Sequence, residues 1–131
     1  AASDVYKRQG VTFSSVRQRV DDLRGSLRDF IRDAQVDETL FKAILRNMDC
    51  SRELFDHDLQ EMSQGQRKKI LLARSLCEPA HVFVWDEPLN YIDVFSRVQL
   101  ETLIQQYQPT MLIVEHDKVF VERVATGVVE V

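Results

Sequence analysis

Residues 81–88 read His-Val-Phe-Val-Trp-Asp-Glu-Pro, a continuous apolar run that ends in two carboxylates and a proline. Such a run is typical of a β-strand that is buried on both faces, as the inner strands of a parallel sheet are. A second apolar run, Thr110-Met111-Leu112-Ile113-Val114, is followed by Glu115-His116-Asp117. The two segments predict inner strands of an α/β sheet, with polar side chains at their carboxyl ends.

Helical patterns before, between and after these strands predict alternating strands and helices. A helix begins at Ser63 and is ended by Glu78-Pro79, and a second one from about Asp93 to Tyr107 joins the two strands. A third helix is predicted over Asp117–Ala125, and a last strand over Gly127–Val131. Strands and helices at this spacing predict right-handed crossovers and a mainly parallel sheet with flanking helices.

The part of the chain before Ser63 is predominantly helical in pattern. A strand of modest character over Val11–Val16 precedes it, and Ser26 and Asp37 are expected to cap two helices. We expect residues 23–62 to form a helical subdomain and residues 63–131 to form the α/β part of one domain, which spans 10–131. Residues 1–9 lack an apolar period and are interpreted as a non-native or disordered terminus.

Composition excludes several classes of protein. The chain has 131 residues, of which 44% are hydrophobic and 29% charged, so one packed domain is expected rather than disorder. No apolar run reaches the roughly 20 residues of a membrane-spanning helix. A net charge of -4 disfavours a non-specific nucleic-acid coat. Cys50 and Cys77 fit no disulfide framework or zinc pattern, and a cytoplasmic location is expected.

The polar strand ends are the first candidate for chemistry, because ligands of open α/β sheets bind at the carboxyl ends of the strands. Asp86 could face a magnesium ion, Glu87 could polarise an attacking water, and His116 could contact a phosphate oxygen. The alternative is that the two carboxylates only cap the next segment and that His116 is a solvated turn residue. Spacing alone does not decide between the two interpretations.

The start of the Ser63 helix is the second candidate. The backbone N–H groups and dipole of a helix start favour an anion, and Gly65 would let a phosphate approach closely. The alternative makes Ser63 an ordinary N-cap and Gly65 a tolerated flaw, which leaves the glycine unexplained. The basic triplet Arg67-Lys68-Lys69 is predicted to form a solvated helix face.

Taken together, these segments resemble an ATP-binding cassette (ABC) ATPase. The resemblance extends from Val11 to Val131 and rests on five motifs in the family's order. Those motifs are the Q-loop glutamine (Gln18), the signature (Met62-Ser63-Gln64-Gly65-Gln66), the Walker B strand with its catalytic glutamate (Val82 to Pro88), the D-loop (Leu89 to Asp93) and the switch histidine (His116 within Glu115-His116-Asp117).

Within the superfamily, the chain most resembles the ABC-F group, and in particular the second cassette of its antibiotic-resistance members. The segments that carry this likeness are Ala80-His81, Trp85 to Asp93 and Pro109-Thr110-Met111. ABC-F proteins are soluble, have two cassettes on one chain, and the resistance members act on ribosomes. The chain departs from the commonest signature, because Gln64 replaces a glycine and Met62 a leucine.

The resemblance implies a partial P-loop NTPase cassette, since the sequence has no G-x-x-x-x-G-K-[ST] phosphate loop ahead of Gln18. It implies ATP and Mg²⁺ as ligands, a sandwich with a second cassette of the same parent chain, and ribosome contacts through regions outside this chain. The implied roles are metal binding (Asp86, Gln18), water activation (Glu87), γ-phosphate contact (His116), completion of the opposite ATP site (Ser63, Gly65, Gln66) and a connection between the two sites (Asp93).

Two other functions remain open from the sequence. The chain could belong to the ATPase subunit of an ABC membrane transporter, because such subunits have no membrane segments either. The parent could also be an interaction module that changes shape on binding ATP and hardly hydrolyses it.

Overall fold

The computed structural model describes residues 10–129 of the chain. The described part contains three β-strands, five α-helices and two short 3-10 helices. In chain order they are β1 (Phe13–Val16), α1 (Leu27–Ala34), α2 (Glu38–Asn47), the 3-10 helices Arg52–Asp56 and Leu59–Glu61, α3 (Gln64–Cys77), β2 (Val82–Asp86), α4 (Val94–Tyr107), β3 (Met111–Val114) and α5 (Lys118–Val124).

The strands form one parallel sheet in the order β1-β2-β3. Val16 lies opposite Trp85, and Asp86 lies opposite Val114. The carboxyl ends of all three strands therefore meet at one edge of the sheet. This confirms the predicted α/β class and the parallel sheet with flanking helices, although β1 begins two residues later than expected.

The prediction that the second apolar run is buried on both faces is wrong. In β3 the side chains of Leu112 and Val114 are 65% and 55% exposed, while Met111 and Ile113 are half-buried. The reason is that only one face of β3, which carries Met111 and Ile113, packs on the core of the described residues. A run of apolar residues indicates that a strand can be buried on both faces. It does not indicate whether another element of the structure covers each face.

The last predicted strand is also not observed. Gly127, Val128 and Val129 have no strand conformation, and the two valines are 67% and 87% exposed. No strand of the described residues pairs with this segment, so its backbone gains no ladder hydrogen bonds. Glu130 and Val131 lie outside the described residues, as do residues 1–9 with their predicted non-native or disordered terminus.

Side-chain caps place the helices where the sequence predicts them. Ser26 accepts a hydrogen bond from the Asp29 N–H at the start of α1, and Asp37 accepts one from the Leu40 N–H at the start of α2. Each bond satisfies a backbone donor that has no partner within its helix. Helices and sheet share one core, which includes Phe41, Ile70, Leu72, Trp85 and Phe120.

A buried polar network joins β1, α3 and β2 inside this core. The Ser75 hydroxyl lies 2.6 Å from the Ser14 hydroxyl and accepts a 2.9 Å hydrogen bond from the indole N–H of Trp85. Ser14 donates in turn to a carboxylate oxygen of Glu78 at 2.8 Å. Trp85 immediately precedes Asp86, so the network fixes the strand that presents the first carboxylate.

We expect Ser75→Ala to lower the free energy of unfolding by about 1–3 kcal/mol, because it leaves the buried Trp85 N–H without its acceptor. Urea denaturation measures the change. Ser51→Ala is the matched control, since Ser51 is exposed and makes no side-chain capping bond. Equal stability of the two variants would contradict a stabilising role for the network.

Candidate functional site

Glu87 and His116 meet at the carboxyl edge of the sheet. The His116 Nε2 lies 3.0 Å from the Glu87 Oε1, and the Asn90 side-chain amide donates to the Glu87 Oε2 at 2.9 Å. The Glu87 backbone is left-handed, with φ 47°, and its N–H donates to the Val114 carbonyl at 2.7 Å. A non-glycine residue held in this region by its surroundings is frequent at functional sites.

Gln18 and Asp86 form a second pair at the same edge. The Gln18 amide donates to the Asp86 Oδ1 at 3.1 Å, beside an open depression that Arg17, Arg19 and Asp22 also line. A carboxylate and an amide oxygen are donors of the kind that Mg²⁺ prefers, so the pair fits this ion. Residues 10–129 contain no group of three or more His, Cys, Asp or Glu side chains that could hold a metal.

The start of α3 is closed by a reciprocal capping box. The Ser63 hydroxyl accepts from the Gln66 N–H at 3.1 Å, and the Gln66 side-chain oxygen accepts from the Ser63 N–H at 3.0 Å. Ser63 is thus the N-cap that the structural alternative proposed. In this conformation, each of the two side chains satisfies the backbone N–H of the other residue.

Gly65 has a steric function within this chain. A Cβ atom at this position would lie 2.6 Å from the Tyr91 carbonyl oxygen, closer than such atoms approach one another. Tyr91 itself has a left-handed backbone, with φ 68°, in the loop between Glu87 and α4. The glycine therefore permits the close approach of the helix start to the loop that follows Glu87.

Asp93 caps α4 and forms an ion pair with the signature helix. Its carboxylate accepts from the Ser96 N–H and hydroxyl, and lies 2.9 Å from the Lys69 Nζ. The hydrogen bond from Lys69 holds the pKa of Asp93 well below its usual range, and the bonds from Ser96 lower the pKa further. Asp93 thus links the end of the loop between Glu87 and α4 to Lys69 on α3.

A pH-dependent contribution to stability follows from this pair. A depressed pKa means that the folded state favours the ionised Asp93, so the contribution is complete above the ordinary Asp pKa of about 3.9 and is lost as the pH falls below it. We expect Asp93→Asn to be less stable than the parent at pH 7, by an amount that shrinks towards pH 3. Urea denaturation at both pH values measures this; a pH-independent difference would contradict it.

The predicted solvated face at Arg67-Lys68-Lys69 is wrong. Lys68 is 0% exposed and donates from its Nζ to the Arg17 carbonyl at 3.0 Å, while Lys69 is 8% exposed. Arg67 donates to the carbonyls of Leu59 and Gln60. Burial lowers the pKa of Lys68, and the charges of Asp86, Glu115 and Glu87 counteract the shift. The sequence did not predict this burial because a basic triplet normally faces solvent.

The predicted site residues therefore fall into two groups. Four of them, Gln18, Asp86, Glu87 and His116, lie at the carboxyl edge of the sheet. Gln18 is hydrogen-bonded to Asp86, and His116 lies at ion-pair distance from Glu87. Ser63, Gly65 and Gln66 lie at the start of α3, which contacts the loop after Glu87 through Tyr91 and Asp93. Asn90, Glu115 and Lys68 complete the surroundings, and only Asn90 and Glu115 could have been singled out by their positions beside the motifs.

Comparisons with known proteins agree with this geometry. The family model described as "ABC transporter" matches residues 3–90, which is more than half of the chain. ABC transporter F family member 2 of Arabidopsis thaliana is 26% identical over 121 residues, which are 91% of this chain and 18% of that protein. Ribosome protection protein VmlR of Bacillus subtilis is 36% identical over 80 residues, 61% of this chain and 15% of that protein.

Among solved structures, the complex of archaeal ribosomal stalk protein aP1 with the ribosome recycling factor aABCE1 matches with a TM-score of 0.71 and 23% identity. The match covers 87% of this chain and 24% of the other chain. The fold is that of part of an ABC cassette. The chain belongs to the ABC transporter family. It spans less than a fifth of the length of the two curated relatives.

Proposed function

We propose that this chain is part of an ATP-binding and ATP-hydrolysing cassette of an ABC-F protein that acts on ribosomes in the cytoplasm. The observation that carries the proposal is the pairing of Glu87 with His116 at 3.0 Å and of Gln18 with Asp86 at 3.1 Å on one edge of a parallel sheet. Phosphoryl transfer to water needs groups that position the water and neutralise phosphate charge. The Glu87 carboxylate beside the His116 imidazole could do the first, and the oxygen atoms of Asp86 and Gln18 could bind the metal that does the second.

In the proposed mechanism, Asp86 and Gln18 would hold Mg²⁺, which would supply positive charge to neutralise the phosphates. Glu87 accepts a proton from the attacking water. The His116 side chain is 84% exposed, so its imidazole can leave Glu87 for a phosphate oxygen without unpacking the core. That exchange would release the Glu87 Oε1 for the water, while Asn90 keeps the Oε2 in place.

The remaining roles concern a second cassette. Ser63, Gly65 and Gln66 would complete the nucleotide site of the partner cassette, and Asp93 would connect the two sites. The start of α3 supports this proposal because its backbone N–H groups and dipole favour an anion.

Among residues 10–129, every helix is too short or too polar to span a membrane.

The ribosome is the proposed partner because VmlR, the 36% identical relative, is named a ribosome protection protein. ABC-F membership is supported by ABC transporter F family member 2, which aligns with 91% of the chain. The ribosome contacts themselves would be made by parts of the protein outside these residues. Antibiotic resistance is the proposed biological role because Ala80-His81, Trp85 to Asp93 and Pro109-Thr110-Met111 resemble the resistance members of the ABC-F group.

The test uses the full-length protein that contains this chain. Phosphate release from ATP and co-sedimentation with ribosomes of the source organism are measured, with a non-hydrolysable ATP analogue and with ADP. We expect steady phosphate release, and ribosome binding that is stronger with the analogue than with ADP. Ribosome binding without phosphate release would instead indicate a conformational module, and membrane association without ribosome binding would indicate a transporter subunit.

A further inference from the structure

The carboxylate of Glu115 joins two backbone segments. Glu115 follows β3 directly and is half-buried. Its Oε1 accepts hydrogen bonds from the N–H groups of His116, at 2.9 Å, and Asp117, at 3.3 Å. Its Oε2 accepts a hydrogen bond from the Leu89 N–H at 3.2 Å, across 26 positions of sequence. Hydrogen bonds to an ionised acceptor are roughly twice as strong as neutral ones.

The two segments are the ones that carry the proposed catalytic pair. Leu89 lies two residues after Glu87, on the loop that leads to α4, and His116 is the neighbour of Glu115. A second bridge runs from the Glu87 N–H to the Val114 carbonyl at 2.7 Å. The Glu87 loop is thus bonded to Val114 and Glu115, the two residues that immediately precede His116.

The backbone of the Glu87 loop requires such an anchor. Glu87 and Tyr91 both have positive φ angles, of 47° and 68°, which are unfavourable for residues with a Cβ atom. Such conformations persist only when surrounding contacts determine them. Glu115 supplies one of these contacts from outside the loop.

We propose that Glu115 is a positioning residue that locks the Glu87 loop to the His116 segment, so that base and imidazole keep one relative placement. The inference rests on the proposed function for its catalytic consequence. Glu115 touches neither the water nor the phosphates in this proposal and acts through the two backbone segments.

Two substitutions change the length and the charge of the Glu115 side chain one at a time. Glu115→Asp keeps the negative charge and can still accept from the adjacent N–H groups, but it is one methylene too short to reach Leu89 at the present spacing. Glu115→Gln keeps the length but turns one acceptor into a donor, which opposes an N–H group. Glu122→Gln on α5 is the matched control, because Glu122 is exposed and far along the helix from these bonds.

In the full-length protein we expect both Glu115 variants to lower kcat for ATP hydrolysis by about 10- to 100-fold, with the KM for ATP nearly unchanged, because misplacement of catalytic groups by about 1 Å costs rate on that scale. Glu122→Gln keeps the parental kcat. In a His116→Ala background, measured by single turnover, Glu115→Asp should cost much less than in the parent. A purely structural defect would instead reduce the rate by the same factor in both backgrounds.

Hydrogen exchange of the nucleotide-free protein tests the lock without any reaction. We expect Glu115→Asp to speed amide exchange at Leu89 and its neighbours, while α1 and α2 remain as in the parent. Unchanged exchange at Leu89, or parental kcat in Glu115→Asp, would overturn the inference. A parent that hydrolyses no ATP would overturn the proposed function alone, because the exchange result still decides whether Glu115 holds the loop.

Discussion

Glu87→Gln in the full-length protein is expected to lower the rate of ATP hydrolysis by about 100-fold or more, while ATP affinity stays within about threefold of the parent. The amide has nearly the size of the carboxylate and can still accept from the Asn90 side chain, so the loop keeps its conformation. What it loses is the basic oxygen that takes the proton from water. A loss in kcat without a loss in binding is the signature of such a group.

The measurements are single-turnover phosphate release and equilibrium binding of a fluorescent ATP analogue. Glu53→Gln is the matched control, because Glu53 is exposed on the first 3-10 helix and its loss changes the net charge equally. Hydrolysis at the parental rate by Glu87→Gln would show that another group activates the water. Loss of ATP binding would show that Glu87 serves mainly to hold nucleotide.

The second large effect is expected at Gly65. Alanine at an open helix position stabilises a protein relative to glycine by roughly 0.5–1 kcal/mol. At Gly65 the opposite sign is expected, a destabilisation of about 1–3 kcal/mol, because the added Cβ would lie 2.6 Å from the Tyr91 carbonyl oxygen. A backbone atom cannot move aside as a flexible side chain can, so either α3 or the Tyr91 loop must shift.

Urea denaturation of the nucleotide-free protein measures this effect, with Gly127→Ala as the control because nothing lies within 4 Å of a Cβ at that position. The design separates the steric role within this chain from the proposed phosphate contact in the opposite cassette, since no nucleotide is present. A Gly65→Ala protein as stable as the parent would mean that the loop accommodates the methyl group. The phosphate contact would then be the remaining explanation for the glycine.

The sequence predicted the elements whose signals are local. The caps at Ser26, Asp37 and Ser63 and the strand β2 follow from neighbouring residues alone, and their positions are confirmed. The convergence of polar strand ends also follows from one rule, that parallel strands end at the same edge of a sheet. The sequence alone therefore groups Glu87 with His116.

Features that depend on distant neighbours could not be predicted. The exposure of Leu112 and Val114 depends on which elements cover β3, and no pattern within the strand reports that. The burial of Lys68 is accompanied by a hydrogen bond from its Nζ to the Arg17 carbonyl, which stands 51 positions earlier in the chain. The bond from Leu89 to Glu115 joins two turns whose approach is set by the sheet register.

The contact of Tyr91 with Gly65, together with the Lys69–Asp93 ion pair, has a mechanical consequence. Two attachment points on one rigid helix restrain a loop in both translation and rotation. A ligand that moves the start of α3 must therefore also move the loop between Glu87 and α4. Under the proposed function, a nucleotide at the start of α3 would therefore act on Glu87 through this loop.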